Sequence, residues 1–227
     1  VLVKDVTQER AIEQIKKDFF SHVSHELKSP LTAIRGLSEL IEHGLISESE
    51  YQKTAHDIVL HTETMAALVE DMLMLSRLEN LKEKSYTEVK LHDVLSQVIK
   101  QLSSIAHQKE IDIQVKTKDI IGMCDAVDMH KLFKNVIENA IKYSEPKKTI
   151  KINLEKHGHE VMFSCQDQGI GIAEEHQQRV FERFYRVDKG RLDGGTGLGL
   201  AIVKHIALKY NGSVDLKSSL TRGTLVT

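Results

Sequence analysis

Phe20-Ser21-His22-Val23-Ser24-His25-Glu26-Leu27-Lys28-Ser29-Pro30-Leu31 lies inside a heptad pattern. Phe20, Leu27, Ile34 and Ile41 recur every seven residues, with Val23 and Leu37 at the complementary core spacing, which is the pattern of a coiled-coil seam. With those four at position a, His25 falls at position f. The packing that orders the helix then holds this imidazole on the far side from the seam, toward solvent. A surface histidine without a task is the ordinary reading of such a position, and the neighbours of His25 argue for more. Glu26 adds a carboxylate able to bond one ring nitrogen and leave the other as a nucleophile, although adjacent residues diverge around a helix. Ser29, four residues on, places a hydroxyl on the face of His25. Pro30 has no N–H for the Glu26 carbonyl and predicts a bend below the histidine.

Working outward, one helix is expected from Thr7 to Glu42, with Ile12, Ile15 and Phe19 extending the apolar stripe. Gly44 to Ser49 reads as a turn in which Gly44 closes the first helix and Ser47 or Ser49 opens the next. A second helix to about Leu81 repeats Tyr51, Ile58, Met65 and Met72 every seven residues, with Leu68 and Leu75 at the complementary spacing. Two such helices bury only part of their apolar faces against each other. A dimeric antiparallel four-helix bundle, one helical hairpin from each chain, completes the packing and predicts a homodimer. The alternative is a monomer whose stripes pack on the rest of its own chain.

Asn80 to Ser85 is polar and charged, a linker, and beyond it the period changes. Expected are a strand end and helix over Val89 to Gln108 and a strand over Ile111 to Val115. A helix over Asp128 to Tyr143 follows, then strands over Thr149 to Leu154 and Glu160 to Gln166. A helix over Gly197 to Tyr210 and strands over Ser213 to Lys217 and Thr224 to Val226 close the set. This order implies a two-layer α/β sandwich. The chain thus divides into residues 1–10, the end of something upstream, a helical hairpin over 11–82, and an α/β domain over 86–227.

The Asp128 to Tyr143 helix carries Asn135, Asn139, Lys142 and Tyr143 along one face, opposite Leu132, Phe133, Val136, Ile137 and Ala140. An amide oxygen is a hard metal ligand and lysine neutralises phosphate, so that face suits an Mg2+-bound polyphosphate; a merely solvated face is the alternative. Asp167-Gln168-Gly169-Ile170-Gly171-Ile172 ends an apolar strand. Its carboxylate can accept from an exocyclic amine such as that of adenine, while the glycines let backbone approach the ring. Gly194-Gly195-Thr196-Gly197-Leu198-Gly199-Leu200 leads into a helix whose free N–H groups favour phosphate. Neither stretch is a dinucleotide fingerprint or a P-loop.

Ser24-His-Glu-Leu-Lys-Ser-Pro-Leu31 resembles the phospho-acceptor box of two-component sensor histidine kinases, usually Ser-His-Glu-Leu-Arg-Thr-Pro-Leu. In the same order, Asn135-x-x-x-Asn139, Asp167-x-Gly169-x-Gly171, Phe181-Glu-Arg-Phe184-Tyr-Arg186 and Gly195-Thr-Gly197-Leu-Gly199 resemble the N, G1, F and G2 boxes of that family's ATP domain, the Bergerat fold. The resemblance implies that His25 is phosphorylated with Glu26 as acid/base partner, and that ATP and Mg2+ are bound. By it Asn139 ligates the metal, Asn135, Lys142 and Arg186 contact phosphates, Tyr143 lines the site and Asp167 reads adenine. Gly169, Gly171, Ile172, Gly195, Thr196, Gly197, Leu198 and Gly199 complete the nucleotide-binding set, and Glu182 to Thr196 would be a lid. It also implies a response-regulator receiver domain as partner. Related ATPases of the chaperone, gyrase and mismatch-repair classes place a water-activating glutamate one turn before the metal-binding asparagine. Asn135 stands there and cannot act as a base. His22 replaces the usual asparagine three residues before His25, and Ser29 replaces the usual threonine or asparagine, leaving a hydroxyl and an open question of phosphatase activity. Two rivals are an ATP-hydrolysing machine on the same fold and a degenerate kinase that only scaffolds a regulator.

Composition sets the remaining bounds. The 227 residues are 41% hydrophobic and 28% charged with net charge −2, which gives no general attraction for nucleic acid or anionic lipid. No run approaches twenty apolar residues and no signal peptide is evident, so a cytoplasmic portion is expected, with membrane anchoring only through segments outside this chain. Asp5-Val6-Thr7 is similar to the junction that follows PAS sensory domains in this family. Cys124 and Cys165 are isolated thiols, and the twelve histidines show no zinc-binding spacing.

Overall fold

The computed structural model describes residues 7–79, 86–187 and 195–227, in two compact units, 1–72 and Leu73–Thr227. The PAS-like junction before Thr7, the linker at 80–85 and residues 188–194 of the expected lid lie outside the described residues.

In the first unit, helix α1 runs 36 residues, Thr7–Glu42, with Pro30 inside it. It ends at Gly44, with the Leu45 N–H donating to the Leu40 carbonyl at 2.9 Å. Ser47 then organises the turn: its N–H and hydroxyl both donate to the Glu50 carboxylate, at 3.0 and 2.6 Å. A single 3-10 turn over Glu48–Glu50 leads into helix α2, Tyr51–Glu79. Along the heptad positions Val23 and Leu68 are buried and Leu27, Ile34, Ile41, Ile58 and Met65 are half-buried, whereas Phe20 is 65% exposed. Leu31, Leu40, Val59, Leu60 and Val69 also remain exposed.

The second unit takes in the last turns of α2 and then builds the α/β layers. Strand β1 (Thr87–Lys90), helix α3 (Leu91–Gln108), strands β2 (Asp112–Thr117) and β3 (Ile121–Cys124), and helix α4 (Ala126–Tyr143) come first. Strands β4 (Thr149–His157) and β5 (Glu160–Gln166), the short helix α5 (Glu174–Gln177), a 3-10 turn at Arg179–Phe181, helix α6 (Gly199–Lys209), and strands β6 (Leu216–Ser219) and β7 (Gly223–Val226) follow. The main sheet has the order β2-β4-β5-β7-β6, with β2 parallel to β4 and the remaining pairs antiparallel; β1 and β3 form a separate antiparallel pair.

One face of the sheet is dry. Ile150, Ile152 and Leu154 of β4 alternate inward and are fully buried, with Phe133, Ile137 and Ile141 of α4 and Val94, Leu95, Val98 and Leu102 of α3 in the same core. The Phe133 and Phe163 rings pack with centroids 4.7 Å apart. The α/β sandwich expected from the element order is therefore present, with differences at element ends.

Each difference has a local cause. Helix α4 starts at Ala126 rather than Asp128, because Asp125 is the N-cap and its carboxylate accepts from the Val127 N–H at 2.8 Å. Asp128, fully buried, instead accepts from Arg77 of α2 at 2.8 Å, Lys209 at 2.6 Å and Tyr210 at 2.8 Å, joining three helix ends through one carboxylate. Burial pushes the Tyr210 phenol pKa up. Strand β3 was not anticipated: Ile121 and Met123 face solvent around Gly122, so its four residues show no apolar alternation. Strand β6 begins at Leu216 rather than Ser213, because Asn211 and Gly212 still terminate α6, with the Gly212 N–H donating to the Ala207 carbonyl at 2.8 Å.

A side-chain contrast tests this core. Phe133→Ala should cost about 3–5 kcal/mol in urea unfolding of the full chain, whereas Ile121→Thr on the exposed strand should stay within about 0.5 kcal/mol.

Candidate phosphotransfer and nucleotide site

On α1 the His25 side chain is exposed, as the heptad requires, and it lines a shallow open hollow with Lys28, Ser29, Thr32 and Ala33. Val23 and Pro30 are buried on the other side. Neighbouring hydroxyls are committed to the helix: Ser24 donates to the Phe20 carbonyl and Thr32 to the Lys28 carbonyl, each at 2.8 Å. Ser29 makes no such bond among the described residues, so its hydroxyl remains available beside His25. Glu26 is half-buried and shares no hydrogen bond with the His25 ring among the described residues, because consecutive residues point about 100° apart around a helix. A carboxylate–imidazole pair is therefore not preassembled in this state.

In the second unit the amphipathic packing of α4 sets out the remaining residues. Asn135 is not part of a solvated face, the alternative reading of this stripe. It is buried, and its Nδ2 donates to the Gly199 carbonyl at 3.0 Å, tying α4 to the first residue of α6. Asn139, one turn on, is half-buried and its amide makes no hydrogen bond among the described residues. An uncommitted carboxamide oxygen fits a hard divalent cation that takes its other ligands from phosphates and water. The Lys142 ammonium is close enough to Gly195 that a Cβ there would lie 3.6 Å from it, and it sits 5.7 Å from the Tyr143 ring centroid. Tyr143 is exposed.

The end of α4 also fixes the acidic loop. The Ile170 N–H donates to the Tyr143 carbonyl at 3.2 Å, and Ser144 forms an isolated antiparallel bridge with Gly169. Asp167 is buried, and its Oδ1 accepts from the Gly169 N–H at 2.8 Å and the Thr224 N–H at 3.1 Å. Its Oδ2 takes no hydrogen bond among the described residues. Burial raises the carboxyl pKa and the two backbone bonds pull against that, the net shift being upward. Gly171, at φ +72°, lies so near the Ser219 carbonyl that a Cβ would collide with it. Ile172 is half-buried in the same turn.

The glycine-rich turn closes onto the segment before 188–194. The Phe184 N–H donates to the Gly197 carbonyl at 2.9 Å, and the Leu198 N–H donates to the Thr196 hydroxyl at 3.2 Å. Leu198 is fully buried at the head of α6. Arg186 is half-buried just ahead of 188–194. The structure thus brings together Asn135 with Gly199, Lys142 with Gly195, and Asp167 with Gly169.

Two contributors carry no sequence signal of their own. Lys109, at the end of α3, donates to the Ile141, Lys142 and Ser144 carbonyls at 3.0, 2.6 and 3.3 Å and so caps the helix that bears the amides. Arg183 hydrogen-bonds Glu79 and lies 3.1 Å from His205 Nε2, linking the F-box turn to the end of α2 and to α6.

These features match known proteins. Residues 15–81 match the His Kinase A (phospho-acceptor) domain, and residues 124–227 match the histidine kinase-, DNA gyrase B-, and HSP90-like ATPase. The chain is 34% identical over 232 residues to sensor protein SrrB of Staphylococcus aureus, an alignment covering 99% of this chain and 39% of that protein. Histidine kinase ThkA, solved in complex with response regulator protein TrrA, superposes with a TM-score of 0.76 at 22% identity, over 98% of this chain and 63% of that one. Full-length ShkA in complex with AMPPNP superposes with a TM-score of 0.66 at 26% identity, over 92% and 44%. With both domains matched in order and nearly all of this chain aligned with SrrB, the chain belongs to the sensor histidine kinases.

Proposed function

We propose that this chain is an ATP-dependent protein-histidine kinase that phosphorylates its own His25 and passes the phosphoryl group to an aspartate of a response-regulator receiver domain. The observation that carries the reading is the Asn135 amide, held by Gly199 in the position where hydrolysing relatives carry a base. No carboxylate stands there to activate water, so bound ATP persists until an imidazole reaches it. The neutral His25 ring attacks the γ-phosphorus in line. The new N–P bond forms as the bond to the β,γ-bridging oxygen breaks, ADP leaves, and the ring proton passes to Glu26 or water. Mg2+, when bound, supplies charge neutralisation at the transferring phosphoryl, and Asn139 would hold it. Lys142, Arg186 and the Gly195–Gly199 turn hold phosphate; Asp167 Oδ2 accepts from the adenine amine; Tyr143 and Ile172 line the base and ribose. The exposed Ser29 hydroxyl would be the group to orient a water in any dephosphorylation of the regulator.

The same reading assigns 11–82 to dimerisation and phospho-acceptance, 86–227 to nucleotide binding, and 1–10 to an upstream signalling segment. The exposed Phe20, Leu31, Leu40, Val59 and Val69 support a homodimeric four-helix bundle. No helix among the described residues is long and apolar enough to cross a membrane, and any membrane attachment would rest on other segments. The chain spans 39% of the length of the SrrB proteins it matches, so activity and partners of a whole protein are part of this proposal.

Incubation with γ-labelled ATP should label the wild type with acid-labile, base-stable phosphate and leave His25→Gln unlabelled; label persisting on that variant contradicts the nucleophile. Asn139→Ala, or chelation of Mg2+, should remove labelling while the fold is retained by circular dichroism. Gly171→Ala should weaken ATP binding about tenfold or more in calorimetry, because the strained turn costs about 1–3 kcal/mol. Sedimentation should find a dimer, and a monomer at micromolar concentration would count against the bundle.

A further inference from the structure

The acidic loop is held by a side chain outside every motif named above. Ser218 lies on β6, and its hydroxyl accepts from the Ile172 N–H at 2.8 Å, donates to the Gly223 carbonyl at 2.9 Å and lies 2.8 Å from the Thr224 hydroxyl. With Thr224 donating, all three capacities of a serine hydroxyl are filled. Gln177 of α5 closes the same knot, its Nε2 donating to the Ile172 and Ser218 carbonyls, both at 2.9 Å. The Thr221 N–H adds a bond to the Ile170 carbonyl at 2.8 Å. The β6–β7 hairpin is therefore the outer wall of the Asp167–Ile172 turn.

Both backbone donors that fix Asp167 Oδ1 come from segments that Ser218 joins. The Gly169 N–H belongs to the turn that ends at Ile172; the Thr224 N–H follows Gly223, where a Cβ would collide with the Asp167 carbonyl. With Oδ1 saturated, the position of Oδ2 depends on how firmly these two segments are held together. That oxygen distinguishes bases: adenine offers it an N–H, whereas guanine presents a carbonyl, which a carboxylate repels. A polar site rejects the wrong partner only while its acceptor stays in place.

Building on the nucleotide-binding reading above, we propose that Ser218 is a positioning residue that sets the preference for adenine over guanine by locking the Asp167–Ile172 turn to the β6–β7 hairpin. The phosphate end, carried by Asn139, Lys142 and the Gly195–Gly199 turn, has no bond to Ser218 among the described residues. Base recognition and phosphate recognition are thus separable.

The test is calorimetric binding of Mg-ATP, Mg-GTP and Mg-tripolyphosphate to the full chain, comparing wild type, Ser218→Ala and Ser218→Thr. Ser218→Ala should weaken ATP by about tenfold, the scale of one lost buried hydrogen bond, and lower the ATP-to-GTP ratio by a similar factor. Tripolyphosphate binding should be unchanged, and Ser218→Thr, which keeps the hydroxyl, should restore the ratio. An unaltered ratio in Ser218→Ala, or tripolyphosphate weakened in parallel with ATP, overturns the positioning role. Wild type that binds none of the three overturns the nucleotide-binding reading itself, and this proposal with it.

Discussion

Helix α4 must bury one stripe and present another, and the nucleotide site depends on that double demand. Phe133, Val136, Ile137, Ala140 and Ile141 are locked into the core, which leaves little freedom for Asn139, Lys142 and Tyr143 on the same cylinder. The two ends of the site hang from this helix. Asn135 grips the head of α6, and the Tyr143–Ser144 backbone grips the acidic loop at Ile170 and Gly169. Lys109 stabilises the arrangement by spreading its charge over three terminal carbonyls where the helix dipole is negative. A shift of one residue along α4 would turn its side chains by about 100° and dissolve both grips.

The first unit meets the opposite requirement. A phospho-acceptor must be reached by a large partner, so its side chain cannot share in the packing that orders its helix. The heptad settles this by geometry: Val23 is buried, Leu27 and Ile34 are half-buried, and His25 and Ser29 remain exposed. Back-bonded Ser24 and Thr32 on either side are absorbed by the helix, which distinguishes Ser29 as a hydroxyl still able to act. The absence of a preformed His25–Glu26 bond is compatible with the proposed nucleophile, which would be completed when the nucleotide arrives. Catalytic hydrogen bonds often tighten only in the reactive complex.

What could be read from the chain alone follows physical periodicity. Both long helices, the α4 stripe and the alternation of β4 were legible because many buried residues repeat at one spacing. Asp167 and its glycines were legible because a close backbone approach excludes other residues. Strand β3 was hidden, since Ile121 and Met123 point outward and pairing with β1 supplies no sequence pattern. The bond from Asn135 to Gly199 was not legible: spacing fixes an angle around the helix, not whether α6 arrives to cover it. Ser218, Gln177 and Lys109 act on backbone atoms far away in sequence, and a lone serine, glutamine or lysine announces nothing of that kind. The Asp125 cap and the Asp128 cluster were missed for the same reason: both depend on where other segments end.

The account stands on a nucleotide site that waits for an imidazole instead of water. Its most direct measurement is a single turnover with stoichiometric Mg-ATP, followed at neutral pH by mass spectrometry of the intact chain and of its peptides alongside an assay of free phosphate. One phosphoryl group on His25, with inorganic phosphate only a minor product, is the predicted result. Prompt release of phosphate from an unmodified chain, or modification at His22 in place of His25, would contradict it.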